Sequence, residues 1–184
     1  LAVQHVSELW WLTNVGSQLT ATVADAAGAM QAWLAPGATM PVVFPQTTVR
    51  FTAGATTYEF DLYLDDALFE PQTIVPAPDG SLTIGRAELT PAQKLLVIAL
   101  CEPALRRGDR GASAIPTSAA AANRLGWTVT RFNRKLDNVC ERLATLGVRG
   151  LHGSAERLAS TRKARLVEYA LASRLVTSDD LPLL

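Results

Sequence analysis

Little in this chain offers chemistry of its own. Among 184 residues there are two cysteines and two histidines. Cys101 and Cys140 sit in separate apolar helical patterns, with no Cys or His near them at ligand spacing. That excludes both a zinc site and a disulfide scaffold. They read as buried free thiols of a protein in a reduced, cytoplasmic compartment. His5 and His152 are too far apart in the chain to form a metal or catalytic pair. No apolar run approaches the roughly 20 residues that a membrane helix needs, and no charged-then-apolar leader opens the chain. Glycine-rich phosphate loops and the G-x-S-x-G and H-E-x-x-H patterns are missing too, so neither an enzyme nor a cofactor site is expected. The pairs Asp65-Asp66 and Asp179-Asp180 are neighbours that cannot converge on a substrate; a turn and a helix cap are expected there. The chain opens at Leu1 rather than Met, so it is read as a trimmed piece whose N-terminal module can be incomplete.

Basic residues are scarce in one half only. The whole chain is neutral, with 17 basic and 17 acidic side chains. Residues 1–85 hold Arg50 against eight acids, a net −7, and residues 86–184 hold 16 basic residues against nine acids, a net +7. Such asymmetry points to two modules, one of them facing a polyanion. The alternative is that solvated helix faces have collected arginine. An apolar fraction of 48% is ample for packed cores.

The acidic half reads as sheet. Leu19, Ala21 and Val23 alternate with Thr20 and Thr22, and Val49 and Phe51 with Thr48, Arg50 and Thr52. Tyr58, Phe60, Leu62 and Leu64 alternate with Glu59, Asp61 and Tyr63. Period two puts one face in a core and the other in water. Breakers at Asn14–Ser17, Ala26–Gly28, Pro36-Gly37, Pro45 and Ala53–Ala55 separate these runs, the pattern of an antiparallel sandwich or barrel from Ser7 onward. Trp10 and Trp11 are adjacent on a strand, so one ring must leave the sheet's own core.

Glu70 to Gly80 contains three prolines and reads as linker, with a short strand at Ser81–Ile84 after it. The period then changes. Thr90-Pro91-Ala92-Gln93 is a capping box, followed by an apolar helix that Pro103 ends or kinks, and residues 106–111 form a polar loop. Thr117 or Ser118 caps a short alanine-rich helix, closed by Gly126. Thr128 caps a longer one, on which Val129, Phe132, Leu136, Val139, Leu143 and Leu146 form an apolar stripe. Its other face carries Thr130, Arg131, Arg134 and Asn138, with Lys135 at the edge. Arginine pairs with guanine edges or phosphates, asparagine with adenine, and threonine with either. The stretches Val148–Leu151 and Arg157–Ser160 read as two strands of a hairpin bearing Arg149, His152 and Arg157. Thr161 then caps a last helix with Arg162 and Lys163 in its first turn, where cations oppose the helix dipole unless a phosphate binds nearby.

A short helix, a tight turn, a long amphipathic helix and a hairpin, over residues 88–177, resemble a winged helix-turn-helix DNA-binding domain. The stretch Leu125–Asn138 is similar to the C-terminal module of actinobacterial proteins that join such a domain to a forkhead-associated domain, and arginine-rich, lysine-poor usage suits such a source. The N-terminal landmarks follow suit. Trp10–Ser17, Leu34-Ala35-Pro36-Gly37 and the hairpin Val49–Leu64 resemble the later half of a forkhead-associated domain. That resemblance implies loops that read phosphothreonine, but the family's Gly-Arg and Ser-Arg-x-x-His residues have no counterpart here, and only Asn14 and Ser17 partly match. A degenerate interaction domain for a protein or phosphoprotein partner is the expectation.

The expected fold is therefore α+β: a forkhead-associated-like antiparallel β-sandwich over 1–69, a linker over 70–87 and a winged helix-turn-helix over 88–184. The expected function is a DNA-binding transcriptional regulator, with duplex DNA as partner and neither metal nor cofactor. Its contact residues would be Thr128, Thr130, Arg131, Arg134, Lys135, Asn138, Arg149, His152, Arg157, Arg162 and Lys163. The alternative is an adaptor in which both modules dock proteins, with the −7 half folded over the +7 half as a mimic of a polyanion.

Overall fold

The computed structural model describes residues 1–67, 88–107, 111–148, 150–151 and 158–184. The linker and the Ser81–Ile84 strand expected from the sequence lie outside those residues. The fold is α+β. Its described strands form two antiparallel sheets, all but one of those strands preceding the helices.

The smaller sheet has the order β1-β2-β5, with β1 at Ala2–Val6, β2 at Leu9–Thr13 and β5 at Thr39–Val42. The β1 strand begins before the expected Ser7. It pairs with β2 through a two-residue turn in which Ser7 and Glu8 both have positive φ, 51° and 65°. Turns of that hand match the twist of a hairpin, and no Gly or Asn announces this one. Pro41, which has no N–H to donate, is accommodated because β5 is an edge.

The larger sheet has the order β4-β3-β6-β7-β8, with β3 at Ala21–Asp25, β4 at Gln31–Leu34, β6 at Gln46–Ala53 and β7 at Thr56–Tyr63. The β6–β7 hairpin turns at Gly54 (φ +62°) and Ala55, where the sequence places it. Leu12 and Val42 of the small sheet pack against Ala21, Val23, Leu34 and Val49 of the large one, forming the sandwich core.

The far face of the large sheet is not solvated as the alternation predicts. Thr22, Ala24 and Thr48 are all buried there, because helix α4 (Leu158–Ala172) lies across β3 and β6. The last strand of that sheet is also unexpected. β8 (Gly111–Ala114) falls within the helical half, in a stretch read partly as loop, yet pairs antiparallel with β7 from Thr56↔Ala114 to Glu59↔Gly111. Gly-Ala-Ser-Ala carries no alternation to reveal it; the open edge of β7 selects it.

The helical half has a separate apolar core built from α1 (Pro91–Arg107), α2 (Ser118–Arg124), α3 (Val129–Thr145) and α4. The predicted capping box at its start is present: Gln93 N–H donates to Thr90 Oγ1 at 3.3 Å and Thr90 N–H to Gln93 Oε1 at 2.9 Å. Pro103 does not end α1, which runs on to Arg107; the residues of its middle are buried on all sides, and that packing outweighs one lost backbone bond.

Two expectations fail after α3. The helix α4 starts at Leu158, so Leu158, Ala159 and Ser160 are helical rather than the second strand of a hairpin, and Thr161 is not its cap. On the other side, Gly150 lies in a turn and Val148 and Leu151 are buried, without strand pairing. Residues 149 and 152–157 lie outside the described residues. A final 3-10 helix, Ser178–Leu183, is fastened to α1 by Lys94 Nζ and Asp180 Oδ1 at 2.6 Å, and Asp180 also accepts from Thr177 N–H, the cap role expected of that carboxylate pair.

Candidate nucleic-acid interface

The turn between α2 and α3 is built by local chemistry. Thr117 caps α2 by accepting from Ala120 N–H at 3.1 Å. Gly126 takes φ +64°, which costs a glycine little. Trp127 N–H then returns to Ala122 O at 2.9 Å, and Thr128 caps α3 by accepting from Arg131 N–H at 3.2 Å. Ala121 and Ala122 are buried, so α2 and α3 approach closely.

Along α3 the apolar stripe is narrower than predicted. Phe132, Leu136, Val139, Cys140 and Leu143 are buried, whereas Val129 and Leu146 at its two ends are exposed. The opposite face presents Thr130, Arg131, Arg134 and Asn138 to solvent, with Lys135 half-buried. Thr128 is exposed beside them, although its hydroxyl serves the helix as a cap. Arg131 is held with its guanidinium carbon 4.4 Å from the Trp127 ring centroid. That stacking fixes its direction and leaves its edge N–H groups free. None of Arg131, Arg134, Lys135 and Arg142 makes an ion pair among the described residues.

Other basic side chains are already engaged. Glu102 takes both Arg106 at 2.7 Å and Arg124 at 3.1 Å. Arg162 Nη2 pairs with Asp137 Oδ1 at 2.5 Å, and Lys163 Nζ donates to Pro116 O at 3.1 Å. Because α4 begins at Leu158, Arg162 and Lys163 lie in its second turn rather than its first. They do not oppose the helix N-terminus there, so no phosphate is needed to account for them. Burial holds the Lys163 ammonium below the ordinary lysine range. Both side chains tie α4 to neighbouring elements. Arg149, His152 and Arg157 lie outside the described residues.

Sequence reasoning missed Trp127, although its spacing of four from Arg131 is the signal that would have found it. It also missed Asn133 and Arg142, both exposed on α3. The two thiols are buried as expected. Desolvation pushes Cys101 up to about 12 and Cys140 to about 11, which leaves neither as a nucleophile.

The sandwich does not cover the polar face of α3. It meets the helices at α4 and β8 instead. There Thr22 donates to the buried Glu168 carboxylate at 3.3 Å, Arg165 pairs with the same oxygen at 2.6 Å, and Arg174 donates to Ala26 O at 3.2 Å. On the sandwich, Asn14 is a turn residue rather than a reading one. Its Nδ2 donates to Leu19 O and Leu34 O, and its Oδ1 accepts from Gly16 N–H. Ser17 beside it is exposed.

Among the described residues no helix is long and apolar enough to cross a membrane, and no group of His, Cys, Asp and Glu could hold a metal ion. No family model matches the chain, and neither does any curated protein or solved structure.

Proposed function

We propose that this protein is a non-enzymatic DNA-binding regulator whose α2–turn–α3 unit is a helix-turn-helix, with α3 entering the major groove. The observation that carries the reading is the polar face of α3, where Arg131 and Arg134 are exposed, free of carboxylate partners and, for Arg131, pre-positioned by Trp127. Preordered guanidiniums lose less freedom on binding phosphate or a guanine edge. The order of helices supports kinship with winged helix-turn-helix domains. Leu158–Ser160, expected in the second strand of the wing, are instead the start of α4. Phosphate contacts in this reading come from Arg131, Lys135 and Arg142, and base contacts from Thr130, Arg134 and Asn138. The order of the Asn14 turn, the Pro36-Gly37 turn and the β6–β7 hairpin in the N-terminal module supports a forkhead-associated-like sandwich as its partner-facing domain.

The test is a titration against random duplex DNA at two salt concentrations, followed by selection from a randomised library. Removing one side chain that neutralises a phosphate lowers the log–log salt slope by about 0.9. Arg131→Ala is expected to weaken binding to all sequences and flatten that slope. Arg134→Ala is expected to cost about 1–3 kcal/mol on the preferred site and to relax one position of it. A wild-type chain that enriches no sequence and binds duplex no better than either variant would overturn the reading and favour a protein-docking adaptor.

A further inference from the structure

The acidic sandwich holds a cleft that the DNA reading does not use. It has a volume of about 460 Å³ and opens where the small sheet overhangs the end of β7. One rung of the small sheet forms a wall, with His5 opposite Trp10 and Trp10 opposite Val42 in register. The His5 and Trp10 rings meet at 4.9 Å between centroids. Leu62 and Leu64, both half-buried, form the facing wall. Trp10 is 44% exposed, unusually open for the largest apolar side chain.

Carboxylates rim this cleft: Glu8 from the β1–β2 turn, and Asp65 and Asp66 just beyond β7. All three are exposed and none makes an ion pair among the described residues. Among the described residues no lysine or arginine lines the cleft. Arg50 is the sole basic residue of the first 85 and is taken by Glu59 at 2.5 Å. The segment 68–87 carries Arg86 against Glu70 and Asp79, a net −1.

We propose that this cleft binds a basic, extended segment of a partner protein, with an arginine or lysine side chain laid over Trp10 and countered by Glu8, Asp65 and Asp66. The charge complementarity fixes the sign of the occupant, and the indole face suits a cation. Strand geometry accounts for the extended form. Among the described residues β1 pairs with β2 alone, so its outer edge is open, and a peptide added there sends alternate side chains to the face shared by Val3 and His5. That face lines the cleft. None of these residues lies on the helical half, so the cleft stands apart from α3 and from what α3 binds.

The probe is a short peptide alternating valine with arginine, blocked at both ends and fluorescently labelled, titrated with the full chain and followed by anisotropy at low salt. The same peptide with glutamate for arginine is the control. The arginine peptide is expected to bind and the glutamate peptide not to. Trp10→Ala is expected to weaken binding about two- to five-fold. Asp65→Asn with Asp66→Asn, at exposed positions that leave the fold intact, is expected to weaken it about tenfold, with the difference shrinking in high salt. Duplex DNA affinity is measured on the same variants and is expected to stay unchanged, which separates this site from α3. Equal binding of the two peptides, or arginine-peptide binding that is the same in all variants, would sink the proposal. A concentration-dependent dimer abolished by Trp10→Ala would also overturn it, because the cleft would then belong to a second copy of the chain.

Discussion

Replacing Glu168 with alanine tests how the two halves are joined. Glu168 is 2% exposed, yet it is charged and faces the sandwich from the middle of α4. Its carboxylate accepts from Arg165 Nη1 at 2.6 Å and from Thr22 Oγ1 on β3 at 3.3 Å. The substitution strips a charge-assisted hydrogen bond worth about 1.5–3 kcal/mol and leaves a buried Thr22 hydroxyl without its acceptor, about 1 kcal/mol more. Breaking a fully buried ion pair costs roughly 3–5 kcal/mol. Arg165 keeps 19% of its side chain in water and stacks loosely on Trp33 at 5.7 Å, which lowers the figure. The expected destabilisation is about 2–4 kcal/mol in urea unfolding. It falls at the joint, so indole fluorescence, with three of the four tryptophans (Trp10, Trp11 and Trp33) on the sandwich, should separate from helical circular dichroism in the variant. The companion Glu168→Leu with Arg165→Leu removes both charges and should recover most of the stability, since apolar replacements of buried pairs are often neutral. A cost below about 1 kcal/mol for Glu168→Ala, with coincident transitions, would refute the assignment of this pair to the joint.

Gly28→Ala should destabilise by about 2–3 kcal/mol, because the new Cβ would lie 2.6 Å from Ala172 O at the end of α4 and the backbone there has φ +68°; a fall in Tm of roughly 4–10 °C checks it. Acid should loosen the fastening of the 3-10 helix. Burial raises the Asp180 pKa, but the Lys94 ammonium and the Thr177 N–H outweigh it and hold the carboxyl below its ordinary value. A depressed folded value contributes stability that is present above about pH 4 and is lost as pH falls through it, so Asp180→Asn should be less stable than wild type at pH 7 and the gap should close in acid.

The parts legible in the sequence are those set by local chemistry. The Thr90–Gln93 box, the caps at Thr117 and Thr128 and the Gly54–Ala55 hairpin each need only a few neighbouring residues, and each is present. The errors share a different cause, which is packing between distant segments. Thr22 and Thr48 look like a wet face until α4 covers them. Gly111–Ala114 looks like loop until the edge of β7 pairs with it. Arg162 and Lys163 look unpartnered until Asp137 and Pro116 are placed beside them. The polar face of α3 was legible because a helical period is local. The cleft was not, since His5, Trp10 and Leu62 meet through sheet packing.

The same distinction decides what the charge asymmetry does. A −7 half and a +7 half in one chain invite the idea that the first lies on the second and blocks it. The described contacts between them include β8 on β7, α4 across β3 and β6, the Thr22–Glu168–Arg165 group, Arg165 over Trp33 and Arg174 on a carbonyl, and none of them involves α3. Arg165 and Glu168 are both on α4, so the ion pair at the joint lies within one half. Attraction of the acidic sandwich for the basic helices therefore has no contact through which to mask Arg131 or Arg134. Deleting residues 1–67 should leave DNA affinity per folded molecule within about threefold at physiological salt, where screening acts beyond about 8 Å. The same deletion should lower stability, because it strips β7 from β8 and exposes the Glu168 face of α4. Affinity that rises steeply on deletion, most of all at low salt, would show that long-range attraction restrains α3 after all.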